Sequence, residues 1–225
     1  FELLCGARLL YNYVWPGGLS HDLPLKFIER TYNFLDYFLP QIDEYNQLLT
    51  TNKIFIERSA DVGVLPLDVG INFGVSGPSL RASGTNFDLR KDEPYSVYDK
   101  FDFNVPIGEG LMGTTGDCWD RYYVRVLEMK ESAKIIRQAL DGLPKGDVHE
   151  VLPKKIRPRK GEVYSRYESA RGDVGFYIRS DGKNIPTRVK MRSPAYCNLS
   201  VLNEISSGWM ISDLIANLGS LDIVL

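Results

Sequence analysis

The sequence predicts a predominantly helical α+β domain with a small antiparallel sheet. Three observations carry this. In two long stretches apolar residues recur every three or four positions, in one late stretch they alternate, and no internal repeat or low-complexity segment interrupts either pattern. With 225 residues, 44% of them hydrophobic and 25% charged, the chain is long enough to bury a core.

Apolar residues at helical spacing occupy Phe1 to Leu10, and Trp15-Pro16-Gly17-Gly18 signals a turn. Pro24 marks a helix start, where its missing N–H costs nothing. Behind it Ile28, Leu35, Phe38, Leu39, Ile42, Tyr45 and Leu49 form the stripe of a long amphipathic helix, with a kink expected at Pro40. A shorter helix is expected near Ile54 to Ser59. From Val62 to Pro106 glycine, proline and aspartate allow only short regular pieces, and Phe101 to Val105 alternates as a strand would. A second strong helix begins near Asp117, with Trp119, Tyr122, Val126, Met129, Ala133, Ile136 and Leu140 on one face, and ends at Gly142 and Pro144. Val174, Phe176 and Ile178 alternate, Ser180-Asp181-Gly182 turns, and Arg188 to Arg192 returns as a hairpin. Two short helices close the chain, around Val201 to Ile205 and Met210 to Leu218. The expected organisation is one domain over 1–225, with a helical part about 1–143, a connector about 144–162, and the hairpin with terminal helices about 163–225.

Composition excludes several function classes. There are 27 Lys and Arg against 29 Asp and Glu, so a net charge of −2 gives no global attraction to nucleic acid or an anionic membrane. Cys5, Cys118 and Cys197 lie far apart, form no Cys-x-x-Cys pair and read as reduced buried thiols. No apolar run approaches the roughly 20 residues that span a bilayer, so membrane association is expected to be peripheral. The helical spacing already running at Phe1, without an initiator methionine, and the apolar close Ile223-Val224-Leu225 lead us to expect a piece of a longer protein.

Several motifs have a bland reading beside the functional one. Gly108-x-Gly110-x-x-Gly113 fits a dinucleotide fingerprint, but the acidic residue expected about 20 positions on falls inside the second long helix, so a flexible turn is the better account. The basic stretch Lys154, Lys155, Arg157, Arg159 and Lys160 lacks aromatic interleaving and reads as a solvated linker or a subunit contact. His21 and His149 are too isolated to anchor a metal. Asp117, Asp120, Arg121 and Arg125 stand on the first two turns of a helix, where intrahelical i,i+4 pairs, or pairs to the Arg81–Asp99 loop, are expected. Glu168, in a strand facing the core, needs a partner such as Arg171 or Arg192. Asp222 is a lone acid in an apolar segment.

Three stretches together carry a resemblance. GPSLRASGTNFDLRKDEPYSVYD at 77–99, GDCWDRYYVRVLEMK at 116–130 and the closing GSLDIVL at 219–225 closely resemble the D subunit of NADH-quinone oxidoreductase, respiratory complex I, which is itself related to the large subunit of nickel-iron hydrogenases. The resemblance runs over nearly the whole chain and corresponds to the C-terminal part of that subunit. It implies a hydrogenase large-subunit-like fold. In hydrogenases the final segment carries Asp-Pro-Cys-x-x-Cys, whose thiolates bind nickel and iron. Here Asp222-Ile223-Val224 keeps the aspartate and puts valine in place of the first thiolate, so no nickel centre is expected. An emptied apolar pocket with one carboxylate suits a quinone.

The resemblance further implies that the subunit lines a chamber where electrons from the terminal iron-sulfur cluster, held by a neighbouring subunit, reduce quinone. Reduction is coupled to proton translocation by separate membrane subunits. Quinone is the substrate, and this chain itself binds neither metal nor nucleotide. Leu221, Asp222 and Val224 are the cavity candidates. Arg81, Asp117, Asp120, Arg121, Glu168 and Arg171 are candidates for a charge network beside the redox centre, where a positive charge raises the reduction potential. The family's headgroup ligands, a histidine and a tyrosine, have no counterpart in these residues, so no catalytic residue is assigned and the piece alone is expected to be inactive. Partners are the iron-sulfur subunit, a membrane subunit and quinone, with no nucleic acid. The location is peripheral, on the cytoplasmic side of a bacterial inner membrane or the matrix or stroma side in an organelle. A non-catalytic scaffold, or the equivalent subunit of a ferredoxin- or other donor-linked quinone reductase, is the alternative.

Overall fold

The structure is a computed structural model that describes residues 1–153 and 155–224. Lys154 of the basic stretch and Leu225 of the closing run lie outside the described residues. The first helix, α1 (Glu2–Cys5), is a single turn, because Gly6 enters the left-handed region at φ 69° and ends it. The helical spacing from Phe1 to Leu10 thus produces far less helix than expected. Strands β1 (Val14–Trp15) and β2 (Gly18–Leu19) pair about the Pro16-Gly17 turn, and the His149 loop pairs with β2 through Leu19 N–H to Val148 O at 2.8 Å.

Helix α2 (Phe27–Tyr45) runs through Pro40 and passes directly into a π-helical turn, Asn46–Thr50. Its buried stripe is narrower than expected. Leu35 and Ile42, seven positions apart, are buried on the side that faces the second long helix, while Ile28, Tyr45 and Leu49 stay exposed. Helix α3 (Lys53–Ser59) is capped by Asn52, whose side-chain oxygen accepts from the Ile54 and Phe55 amides. The loop-rich region holds only α4 (Leu67–Asn72), α5 (Pro78–Arg81), α6 (Leu89–Asp92) and a 3₁₀ turn at Tyr98–Lys100.

Phe101 to Val105 does not join a sheet. Its amides at Asp102 and Asn104 donate to the side chains of Gln138 (2.8 Å) and Glu131 (2.9 Å) on α7 (Cys118–Asp141). The alternation is real, since Phe103 is buried between exposed Asp102 and Asn104, but an extended segment laid along a helix alternates as a strand does. α7 is the spine of the molecule and touches α2, α3 and α5, as well as the last helix.

Beyond the connector, β3 (Gly161–Ser169), β4 (Gly172–Ser180) and β5 (Arg188–Arg192) form an antiparallel sheet in that order. The hairpin expected from alternation is β4–β5, and β3 adds a strand to it. Three helices complete the described chain, α8 (Pro194–Ser200), α9 (Leu202–Ser206) and α10 (Ile211–Ser220). The first of them is hidden in the sequence by its short, mixed composition. Leu65, Val75, Leu80, Val201, Ile205 and Leu221 make one buried cluster that ties the loop region to the C-terminal helices. Among the described residues no helix is long and apolar enough to cross a membrane.

Candidate functional site

Two polar clusters meet around α7. The first sits at its N-terminus. Asp117 caps the helix, its Oδ1 accepting from the Asp120 amide at 2.8 Å and its Oδ2 from the Asp61 amide at 2.9 Å. Asp120 Oδ2 accepts from the amides of Gly110 (3.0 Å) and Gly116 (3.3 Å), which pins the glycine loop to the helix. That loop is not slack. A Cβ on Gly108 would stand 1.9 Å from Ala82 O, and Gly116, at φ 90°, would place one 2.6 Å from Leu65 O. The glycines are there for close backbone approach, which corrects the reading of a flexible turn.

Arg121 is fully buried, and its expected i,i+4 carboxylate pairing is not made. Its guanidinium donates to Gly116 O at 2.6 Å, Ser220 Oγ at 2.9 Å and Cys118 Sγ at 3.2 Å. Asp117, one turn away, and the adjacent Asp120 already serve backbone amides. Burial pushes the Arg121 guanidinium down, and it pushes the carboxyls of Asp117 and Asp120 up.

The second cluster is an ion-pair network. Arg81, at the end of α5, donates to Glu128 on α7 (2.7 Å) and Glu168 on β3 (2.8 Å), with Asp88 at 3.6 Å. Asp88 in turn holds Arg90 at 2.6 Å. Glu168 therefore finds Arg81, rather than Arg171 or Arg192. Burial pushes the Glu168 carboxyl up, only partly offset by Arg81. Burial also works against the Asp88 charge, but the Arg90 hydrogen bond and the Arg81 charge outweigh it and hold this carboxyl below the ordinary range. Three carboxylates around Arg81 likewise outweigh its desolvation and raise it.

Arg81, Arg90, Glu128 and Glu168 of this network also line a cavity of about 480 Å³. Its apolar wall comes from Phe34 and Phe38 on α2 and from Met129, Ala133 and Ile136 on α7. Its polar end comes from Arg81, Arg90, Arg125, Glu128, Glu168 and Asp222. Asp222 adopts φ 52°, held by Arg171, whose Nε donates to Asp222 O at 2.9 Å and whose Nη2 lies 3.5 Å from Oδ1. Arg125 Nε lies 3.8 Å from Asp222 Oδ2, and this buried nitrogen has no hydrogen-bond partner among the described residues. Burial pulls the Arg125 guanidinium down to about 10.

The candidates thus separate. Arg81, Glu168 and Asp222 line the cavity, and Arg171 braces Asp222 from the β3–β4 turn. Asp117, Asp120 and Arg121 belong to the loop anchor and not to the cavity lining. Leu221 is 0% exposed within the apolar cluster, and Val224 is 58% exposed and away from the cavity, so neither lines it. The chain turns at Asp222, at φ 52°, and the three residues that sequence proximity groups end in different surroundings. Arg125, Glu128, Asp88 and Arg90 are not among the cavity and network candidates read from the sequence. The signal is present for Glu128, which follows Arg121 and Arg125 at helical spacing on α7. Among the described residues no group of three or more His, Cys, Asp or Glu could hold a metal ion.

The sequence matches the family described as respiratory-chain NADH dehydrogenase, 49 Kd subunit, over residues 1–159 and 149–225. Over its whole length it is 52% identical to a D subunit of NADH-quinone oxidoreductase from Cytophaga hutchinsonii, covering 59% of that protein. It is 51% identical to the D subunit of Chlorobaculum tepidum and 50% identical to that of Chlorobium phaeovibrioides, again over its whole length, covering 57% of each. The chain therefore spans a little under three fifths of the length of these curated relatives. With the predominantly helical α+β fold and small antiparallel sheets of the hydrogenase large-subunit type, the chain belongs to the family of the 49 kDa subunit of respiratory-chain NADH dehydrogenase.

Proposed function

We propose that this chain supplies one wall of a quinone chamber in an NADH:quinone oxidoreductase, and that Asp222 and Arg125 form the polar end of that wall. One observation carries the reading. A cavity with apolar walls ends at a carboxylate, Asp222, beside the Arg125 guanidinium, whose Nε lies 3.8 Å from Asp222 Oδ2. A flat ring with carbonyl oxygens and an isoprenoid tail matches both ends, since apolar walls take the ring and tail and a donor takes a carbonyl. Reduction to quinol needs two electrons and two protons. In this reading the electrons come from the iron-sulfur cluster of a neighbouring subunit, and membrane subunits couple the step to proton translocation. The names of the relatives as NADH-quinone oxidoreductase subunits support the reaction class.

Asp222→Asn, made in the complete subunit and measured in the assembled complex, is expected to lower quinone reduction about tenfold, the cost of one charged hydrogen-bonding group. NADH oxidation by an artificial acceptor should be unchanged. Unchanged quinone reduction would favour the scaffold reading, in which the buried network around Arg81 is purely structural.

A further inference from the structure

We propose that the outer half of the β3–β4–β5 sheet docks a second protein chain, one that offers an apolar wall to one face of the sheet and carboxylates to the other. The proposal rests on the reading of this chain as one subunit of a multi-subunit complex. The register defines the faces. Val163 pairs with Ile178 and Ile178 with Val189, while Ser165 pairs with Phe176 and Phe176 with Met191. Cross-strand partners share a face, so these rows make one apolar surface. All five apolar side chains of the two rows are exposed, Met191 by 67%.

The opposite face holds the charge. Arg179 lies directly across from Arg188, and Tyr177 across from Lys190. All three cations are exposed, and among the described residues none has a carboxylate within 4.0 Å. Glu162, across from Arg179 on β3, instead accepts from the Tyr177 hydroxyl at 2.6 Å. Two arginines directly opposite each other repel. The excess extends beyond these strands, since residues 155–192 carry eleven Lys and Arg against four Asp and Glu in a chain whose net charge is −2. An isolated sheet gains nothing from such an arrangement. An acidic partner neutralises it.

A protein fits this element better than a membrane does. With the apolar face on a bilayer, the three cations would point away from the headgroups that should attract them. β3 and β5 are both edge strands, and hydrocarbon leaves their outward N–H and C=O groups unsatisfied, whereas a protein pairs or hydrates them. A partner that clamps the tip from both sides satisfies all three features.

The test places a photoreactive benzoylphenylalanine at Val189 of the complete subunit within the assembled complex. Illumination should join it to one other polypeptide, at an apolar segment of that chain, because Val189 lies on the apolar face. The combined variant Arg179→Glu, Arg188→Glu and Lys190→Glu should cut that crosslink about tenfold. A crosslink only to lipid, only within the subunit's own chain or to a second copy of it overturns the proposal, as does one that the charge reversal leaves intact. The complete absence of a crosslink at both Val189 and Met191 overturns it too. Because the readout is a crosslink, Asp222→Asn should leave it unchanged, so failure of the quinone reading and failure of this one are told apart.

Discussion

Arg81 and Arg121 are both buried guanidiniums, yet the protein compensates them differently. Three carboxylates surround Arg81, while Arg121 is held by a carbonyl, a hydroxyl and a thiol. Removing one member of a buried ion-pair set leaves the others charged and uncompensated. Arg81→Met is therefore expected to destabilise the subunit by about 3–5 kcal/mol, read from denaturant midpoints at constant slope. Glu168 and Asp88 should give opposite pH signatures. Glu168 is raised, so its contribution is complete below the ordinary carboxylate value and is lost as pH rises through its folded value. Asp88 is lowered, so its contribution is present above the ordinary value and is lost as pH falls through its folded value. Wild type and Glu168→Gln, unfolded in urea between about pH 4 and 7, should show a stability gap that shifts in favour of the variant as pH rises. A gap that stays constant with pH would contradict this assignment.

At the scale of elements, α7 organises the molecule, and the glycine loop shows how tightly. Gly108→Ala forces a methyl group into Ala82 O, and the expected cost is about 3 kcal/mol, seen as a lowered urea midpoint. The helices α2, α3 and α7 are legible in the sequence because their apolar period, start signals and stops agree. Phe101 to Val105 reads as a strand and is not one, because period two reports an extended backbone and says nothing of what lies beside it. β3 is hard to see for a related reason. Its two faces both carry large side chains, Val163 and Tyr167 on one and Tyr164 on the other, so apolar and polar positions do not separate cleanly. Of the site, the acids and arginines can be picked from the sequence, but their partners cannot. Arg81 meets Glu128 and Glu168 across 47 and 87 positions of chain, a distance no local pattern encodes.

At the scale of the whole molecule, the chain exposes more surface than its mass predicts. Its accessible area is 14594 Å², against roughly 10,400 Å² for a compact monomer of 25.5 kDa. Exposed Phe1, Leu3, Leu25 and Phe34 border a second, largely apolar groove of about 360 Å³ beside α1 and α2. Surface of this extent and chemistry is expected to drive association. Sedimentation of the isolated chain should show a mass that grows with concentration, and a sharp monomer at all concentrations would contradict this. The sequence pattern does not foretell the excess, because an amphipathic face looks alike whether its cover is within these residues or beyond them.

The π-helical turn at Asn46–Thr50 has a consequence for insertions and deletions. Thr50 is where α2 meets the start of α7, its carbonyl accepting from Trp119 Nε1 at 3.3 Å and its hydroxyl lying 3.1 Å from the Tyr122 hydroxyl. The turn carries one residue more per hydrogen-bonded ring than an α-helix does. Deleting a single residue there would let the helix continue as an unbroken α-helix, with i→i+4 bonds in place of i→i+5, yet it would rotate the chain beyond it by about 100° relative to α2. The local helix would be more regular, and Thr50 would face away from Trp119. The extra residue thus works as a phase setting between two long helices, and a shorter, more regular sequence would lose the alignment it preserves.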